Sequence, residues 1–431
     1  MISTELYQQW ADLSNSERVS LFRELPHDRA DQFFLGLSSR EQVSLLLALP
    51  DSEQRSCLRL LPPDDAADLI QLAPEEDRAS LAGQLDDVTR REVSALLAYK
   101  EDAAGGLMNP RFARVRPDMT IDEAISYLRR QADHLGTLHY IYVLDGSQQL
   151  LGVLGFRDLF SADRFSFVRD VMRTEIVSVS EQTDQELVAR LFSQHRLLAI
   201  PVVDGAGRMQ GIVTADDIAD VIEQEASEDI QKIGGMEALE GPYLQIRFWQ
   251  MVKKRAGWLT VLFVGEMLTA TAMGHFEKEI ERAVVLALFV PLIISSGGNS
   301  GSQATTLVIR AMALGELRLR DWWRVVSREL ATGFVLGSVL GIIGMTRIVV
   351  WQALWKTYGE HYIFVALTVA FSLIGVVLFG TIAGSMLPFV LRRMGLDPAS
   401  ASAPFVATLV DVTGLVIYFT IASVILRGTL L

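Results

Sequence analysis

APFVATLVDVTGLVIYFTIASVIL, residues 403–426, is an apolar run long enough to cross a bilayer as one helix, and it carries a single acid, Asp411, between Val410 and Val412. An ionised carboxylate at mid-membrane depth costs roughly 2.5–3.5 kcal/mol even on the lenient insertion scale, so it needs a partner, water or an ion. Asp411 reads either as the point where a cation crosses or as a protonated acid bonded to a neighbouring helix. Four more runs near the roughly 20 residues a bilayer demands precede it, at 256–273, 282–309, 330–351 and 362–387. The second reads as interrupted, by Pro291 and by the small polar stretch SSGGNSGSQ at 295–303. Such residues are tolerated where helices approach closely or where backbone lines a watery path.

Charge divides the chain in two. Residues 1–240 hold 42 acidic against 23 basic side chains, while 241–431 hold 10 against 16, a soluble acidic half joined to a basic membrane half. The acidic half repels nucleic acid and anionic lipid, and either stays solvated or collects cations. The first ten residues lack a basic stretch followed by an apolar run, so no cleavable signal is expected, and the acidic half is placed in the cytosol. One cysteine, Cys57, excludes a disulfide framework or a Cys-rich metal site. Basic clusters at Lys253-Lys254-Arg255, at Arg310 to Arg328 and at Arg392-Arg393 fall on one side if the chain crosses five times. The positive-inside rule makes that side the cytosol and puts the carboxy-terminus outside, in a multi-pass inner-membrane protein.

Within the first hundred residues a phrase recurs: Leu25-Pro26-His27-Asp28, Leu49-Pro50-Asp51, Leu61-Pro62-Pro63-Asp64 and Leu72-Ala73-Pro74-Glu75. Proline followed by acid marks a helix start each time, which predicts an all-helical stack of short helices, a small superhelix or an irregular bundle. From Asp102 the pattern becomes helices alternating with paired β-rich runs, twice over. Strands are expected at 140–143 and 151–154, then at 199–204 and 210–213, with helices at 121–131, from Arg157, at 185–195 and from Asp216. The run Val168-Arg169-Asp170-Val171-Met172, the strand Pro201-Val202-Val203-Asp204 and the segment GIVTADD at 211–217 resemble a pair of CBS domains. In that family a hydroxyl residue followed three positions later by Asp often holds an adenine nucleotide's ribose, and Thr214 with Asp217 match this. Gly155 replaces the hydroxyl in the first unit. Thr214 and Asp217 are equally the makings of an ordinary helix cap.

Asp216, Asp220 and Glu223 recur at i, i+4 and i+7, on one face of a helix where like charges repel. Glu237 and Glu240 follow towards the membrane. A solvated face is one explanation; hard divalent ions, which prefer carboxylate oxygen, make a cation-sensing face the favoured one.

Pro291 with GGNSGSQ at 297–303, then MLPF at 386–389, Asp397-Pro398, and Pro404 with ATLVDVTG at 407–414 and Tyr418-Phe419 resemble the MgtE-type magnesium transporter family over nearly the whole chain. The resemblance implies three parts: an all-α superhelical amino-terminal domain (1–101), an α+β CBS pair (102–165 and 166–227) with a connecting, or plug, helix (228–255), and an all-α membrane domain of five helices (256–431). It further implies a homodimeric Mg²⁺ channel, not an enzyme, that closes at high cytosolic Mg²⁺, with Asp411 the pore acid and Ala403, Ala407 and Asn299 along the path. Asp397 matches a metal contact at the cytoplasmic mouth, and Asp216, Asp220, Glu237, Glu240 and Asp102 match the sensor acids. Gln245 and Arg247 stand where further acids are expected. Two alternatives stay open: a proton-coupled divalent-cation carrier using Asp411 and Glu266, and a transporter governed chiefly by ATP at Thr214 and Asp217.

Overall fold

The computed structural model describes residues 7, 10, 13–132, 135–239, 243 and 246–430. The chain divides into two compact units, Met1–Gln224 and Glu225–Leu431.

In the first unit, the recurring prolines do what their chemistry dictates. Helices α1 (Asn15–Glu24), α2 (His27–Leu35), α3 (Ser39–Ala48), α4 (Asp51–Leu58), α5 (Pro63–Leu72), α6 (Glu75–Gln84) and α7 (Asp87–Leu96) follow one another. Pro26, Pro50, Pro62 and Pro74 each sit immediately before a first turn, where no backbone N–H is required, and Asp or Glu fills that turn. α1 and α3 open instead on capping boxes, Ser14 with Glu17 and Ser38 with Glu41. Alternate helices pack, α1 on α3, α3 on α5 and α5 on α7, around Phe33, Phe34, Leu45, Leu46, Leu69 and Ile70.

After the single turn α8 (Ala104–Leu107) come two copies of one plan. The first has β1 (Phe112–Val115), α9 (Ile121–Gln131), β2 (Thr137–Leu144), β3 (Leu150–Gly155) and α10 (Phe156–Ser161). The second, after the turn α11 (Val168–Val171), has β4 (Val179–Ser180), α12 (Gln185–His195), β5 (Ala199–Val203), β6 (Met209–Thr214) and α13 (Ala215–Ile233). Each sheet runs in chain order, with the first pair parallel and the second antiparallel. The β5–β6 turn is held by Asp204, whose Oδ1 accepts from the Ala206 and Arg208 N–H groups, with Gly207 at φ +78°.

The helix expected over 228–255 is divided. α13 ends at Ile233, because Gly234 and Gly235 follow and Gly235 adopts φ +75°, and the next helix, α14, starts at Phe248.

Five helices of the second unit are long and apolar enough to cross a membrane. They are α14 (Phe248–His275); α16 (Val290–Ala313), which follows the short α15 (Glu277–Arg282) and a 3₁₀ turn (Val284–Phe289); α17 (Trp322–Trp355); α18 (Tyr362–Arg393); and α19 (Ala403–Ile425). The expected interruption of the second span does not occur, since α16 stays helical through residues 295–303. Pro291 lies in its first turn, and its glycines serve contact: the Gly297 and Gly301 carbonyls lie where a Cβ on Gly380 or Gly384 of α18 would overlap them. Tyr418 Oη donates to the Leu286 carbonyl at 2.8 Å, tying α19 to the start of the second span.

Candidate functional site

α16 packs on α18 and α19 together, Gly297 and Gly301 each lying against both, and a further side of it borders α19 and α14. There a groove of about 410 Å³ opens, lined by Ser295, Asn299 and Ser302 of α16, Ala407 and Asp411 of α19 and Thr269 of α14, among others. Ala407, Asp411 and Leu415 are one turn apart on the α19 face that borders it. Gly298 faces α19 here, and a Cβ at that position would lie in ordinary contact with Ala407, at 3.6 Å. Asn299 Nδ2 donates to Ser295 Oγ at 3.5 Å, and Ser302 Oγ to the Ala403 carbonyl at 3.3 Å. Asp411, Asn299, Ala403 and Ala407 are therefore brought together, with oxygen donors and a carboxylate on a wall otherwise apolar.

Asp397 is engaged by a cation of the protein itself. Its Oδ2 accepts from Lys232 Nζ at 2.6 Å, and Lys232 also pairs with Glu228 at 2.5 Å. Partial burial works against that ammonium's charge, yet its bonds to Asp397 and Glu228 hold its pKa above the usual lysine range. Asp397 Oδ1 meanwhile caps the Ala399 N–H at 2.8 Å. Glu237 is exposed in the same unit, its carboxylate facing the start of α14 near Gly257. Glu240 and Gln245 lie outside the described residues.

In the first unit the acids of α13 meet a second set that spacing alone did not single out. Asp65 of α5 feels Asp216 and Asp220, and Asp64 feels Asp217. Asp64 is 6% exposed, its Oδ1 accepting from Asn109 Nδ2 at 3.0 Å. Burial, then Asp217 and Asp65, push its carboxyl up to about 8. Asp65 is raised by burial and then by Asp216 and Asp220. Asp68, one turn on, has an exposed side chain and is raised as well, with Asp65, Asp217, Glu101 and Asp220 all adding to the push. Asp216, Asp220, Glu223 and Asp102 expose their side chains. The Asp102 carbonyl accepts from the Gln185 N–H at 2.8 Å. Among the described residues, no group of three or more His, Cys, Asp or Glu side chains is arranged to hold a metal ion.

Thr214 and Asp217 satisfy each other as a cap. Asp217 Oδ2 accepts from Thr214 Oγ1 at 2.5 Å and from its N–H at 3.1 Å, while burial drives the Asp217 carboxyl up to about 6 against those bonds. In the first repeat Asp158 Oδ2 likewise accepts from the Gly155 N–H, at 3.3 Å, and also pairs with Arg173 at 2.8 Å. The α5 acids are signalled by Pro62-Pro63-Asp64-Asp65 with Asp68 one turn on, and Ser295 and Ser302 by the small polar stretch they bound; Thr269, in the first span, gives no comparable signal.

Three family models match this chain: "Divalent cation transporter" over residues 290–421, "MgtE intracellular N domain" over 2–102, and "CBS domain" over 104–164 and 168–224. The magnesium transporter MgtE of Thermus thermophilus is 42% identical over 344 residues, 80% of this chain and 74% of that protein. The Enterococcus faecalis magnesium transporter MgtE is 34% identical over 78% of this chain and 72% of its own length. A solved cytosolic domain of the Mg²⁺ channel MgtE in complex with ATP is 42% identical, at a TM-score of 0.48, over 50% of this chain and 88% of that one. Helical domain, CBS pair and apolar helices stand in the same order in fold and family alike, and the chain belongs to the MgtE family of multi-pass membrane transporters, not to an enzyme family.

Proposed function

We propose that this chain carries Mg²⁺ inward across the inner membrane through a selective, Mg²⁺-gated path that passes Asp411. The observation that carries the reading is the groove between α16 and α19, where the Asp411 carboxylate shares a wall with Ser295, Asn299 and Ser302. Mg²⁺ takes oxygen ligands in near-ideal octahedral geometry and sheds water reluctantly. Carboxylate, hydroxyl, amide and the Ala403 and Ala407 backbone suit a hydrated ion held through its own water, tightly enough to enter and weakly enough to leave. The names of the relatives favour magnesium as the cargo. A homodimer would set Asp411 against its twin. The domain boundaries and the cytosolic placement of residues 1–255, with an outward carboxy-terminus, belong to the same proposal.

Gating follows from repulsion. The acids of α5 and α13 supply only carboxylate oxygen, the donor class Mg²⁺ takes, and Asp102, Glu223, Glu237 and Glu240 are proposed to add to the same response. Scarce Mg²⁺ leaves them uncompensated and the sensor loosened; abundant Mg²⁺ draws them together and closes the path. Asp397 joins that response when its bond to Lys232 opens. Adenine nucleotide at the second CBS repeat would exchange the Thr214–Asp217 bond for ribose hydroxyls.

The test is Mg²⁺ flux in liposomes, with Co²⁺, Ni²⁺ and Mn²⁺ alongside. Asp411→Asn is expected to abolish it while leaving the fold intact, and full flux in that variant would refute the path.

A further inference from the structure

The first span carries an acid that the proposed path has not yet used. Glu266, Thr269 and Met273 stand at i, i+3 and i+7 on α14, one face of the helix, and Thr269 and Met273 line the same groove as Asp411. Gly265 permits the approach, since a Cβ there would sit 2.8 Å from Thr408 Cγ2 of α19. The Glu266 carboxyl lies within hydrogen-bonding reach of the Asp411 carboxyl. Beside the pair, Thr269 Oγ1 is buried and makes no hydrogen bond, leaving a polar atom on the groove wall with capacity for a ligand or its water. Two carboxylates side by side in a low-dielectric span repel unless positive charge lies between them.

We propose that Glu266 is the second carboxylate of the transmembrane cation site and sets its preference for divalent over monovalent ions. This rests on the transport reading above and adds to it. One copy of the chain presents two negative charges to the groove, so a hydrated divalent cation is matched in charge within a single copy. A potassium ion leaves one charge uncompensated. With Glu266 neutral, Asp411 alone distinguishes the two ions poorly.

The experiment measures Mg²⁺ influx into liposomes holding the full-length protein, against Mg²⁺ concentration and with K⁺ as competitor, for Glu266→Gln, Glu266→Asp and Asp411→Asn. Glu266→Gln is expected to raise the half-saturating Mg²⁺ about 10- to 100-fold, the usual effect of removing a group that supports a metal-holding side chain, and to make influx sensitive to K⁺. Glu266→Asp keeps the charge and restores K⁺ exclusion. A Glu266 that acts only as a neutral hydrogen-bond donor is mimicked by Gln. Unchanged half-saturation and K⁺ exclusion in Glu266→Gln, with flux lost in Asp411→Asn, therefore overturn this inference and leave the path standing. Loss of K⁺ exclusion in Glu266→Asp also overturns it. Unchanged flux in Asp411→Asn overturns path and inference together.

Discussion

Replacing Asp64 by Asn tests whether the sensor's acids are held under electrostatic stress. Asp64 is buried, and its folded pKa stands near 8 rather than 3.8. Below about pH 4 the carboxyl is protonated in both folded and unfolded chain, and its shift changes nothing. Between pH 4 and 8 the unfolded chain releases the proton and the folded one keeps it, so stability falls as pH rises and levels off above 8. Roughly four pH units at about 1.4 kcal/mol each sets a ceiling on the order of 5 kcal/mol; shared with Asp217 and Asp65, a few kcal/mol is the expected size. Asn retains the oxygen that Asn109 bonds and cannot ionise. In Mg²⁺-free buffer Asp64→Asn should therefore match the parent near pH 4 and exceed it in stability above pH 8, the gap narrowing as Mg²⁺ is added. Hydrogen exchange of α5 and of the first turns of α13 in the intact protein reads this directly. Equal protection in the two proteins from pH 4 to pH 9 would refute the reasoning.

Other expectations concern packing and reactivity. A Cβ at Gly301 would sit 2.8 Å from Val406 Cγ1 and 2.9 Å from the Gly380 carbonyl, so Gly301→Ala must part three spans and should cost about 1–3 kcal/mol, measured as a lower melting temperature with reduced flux. Tyr418→Phe leaves the buried Leu286 carbonyl without its donor and should cost about 1–2 kcal/mol in the same melt. The Cys57 thiol is buried and pushed up to about 12, by burial and then by Asp31 and Glu53, so the native protein should resist maleimide at pH 8 and react once unfolded.

Local chemistry was legible in the sequence and distant pairing was not. Pro26, Pro50, Pro62 and Pro74 announce their helices because proline's missing N–H is harmless only there, and apolar length announces the five spans. The ends of those spans were less visible. α17 begins at Trp322, well before the apolar run, because Arg324 and Arg328 continue a helix as readily as they flank one. The small polar stretch of α16 looks like a break in sequence alone, but glycine in a bundle also marks where backbones touch, and Gly380 and Gly384 on α18 decide between the two. The meeting of Asp64 with Asp217, of Lys232 with Asp397 and of Glu266 with Asp411 joins segments far apart in the chain, and no single-segment periodicity encodes it. Asp411 itself was conspicuous, because a charge in an apolar span has few innocent uses.

The account stands on water and ions reaching one face of α19. Since Cys57 is buried, cysteines placed singly along that helix in the protein in liposomes report which positions a hydrophilic thiol reagent can touch. Ala403→Cys, Ala407→Cys and Asp411→Cys, at successive turns, should react, with Mg²⁺ protecting Ala407→Cys, one turn from an intact Asp411, whereas Leu409→Cys and Val416→Cys should not. Reaction at Leu409 and Val416 with none at Asp411 would contradict the account.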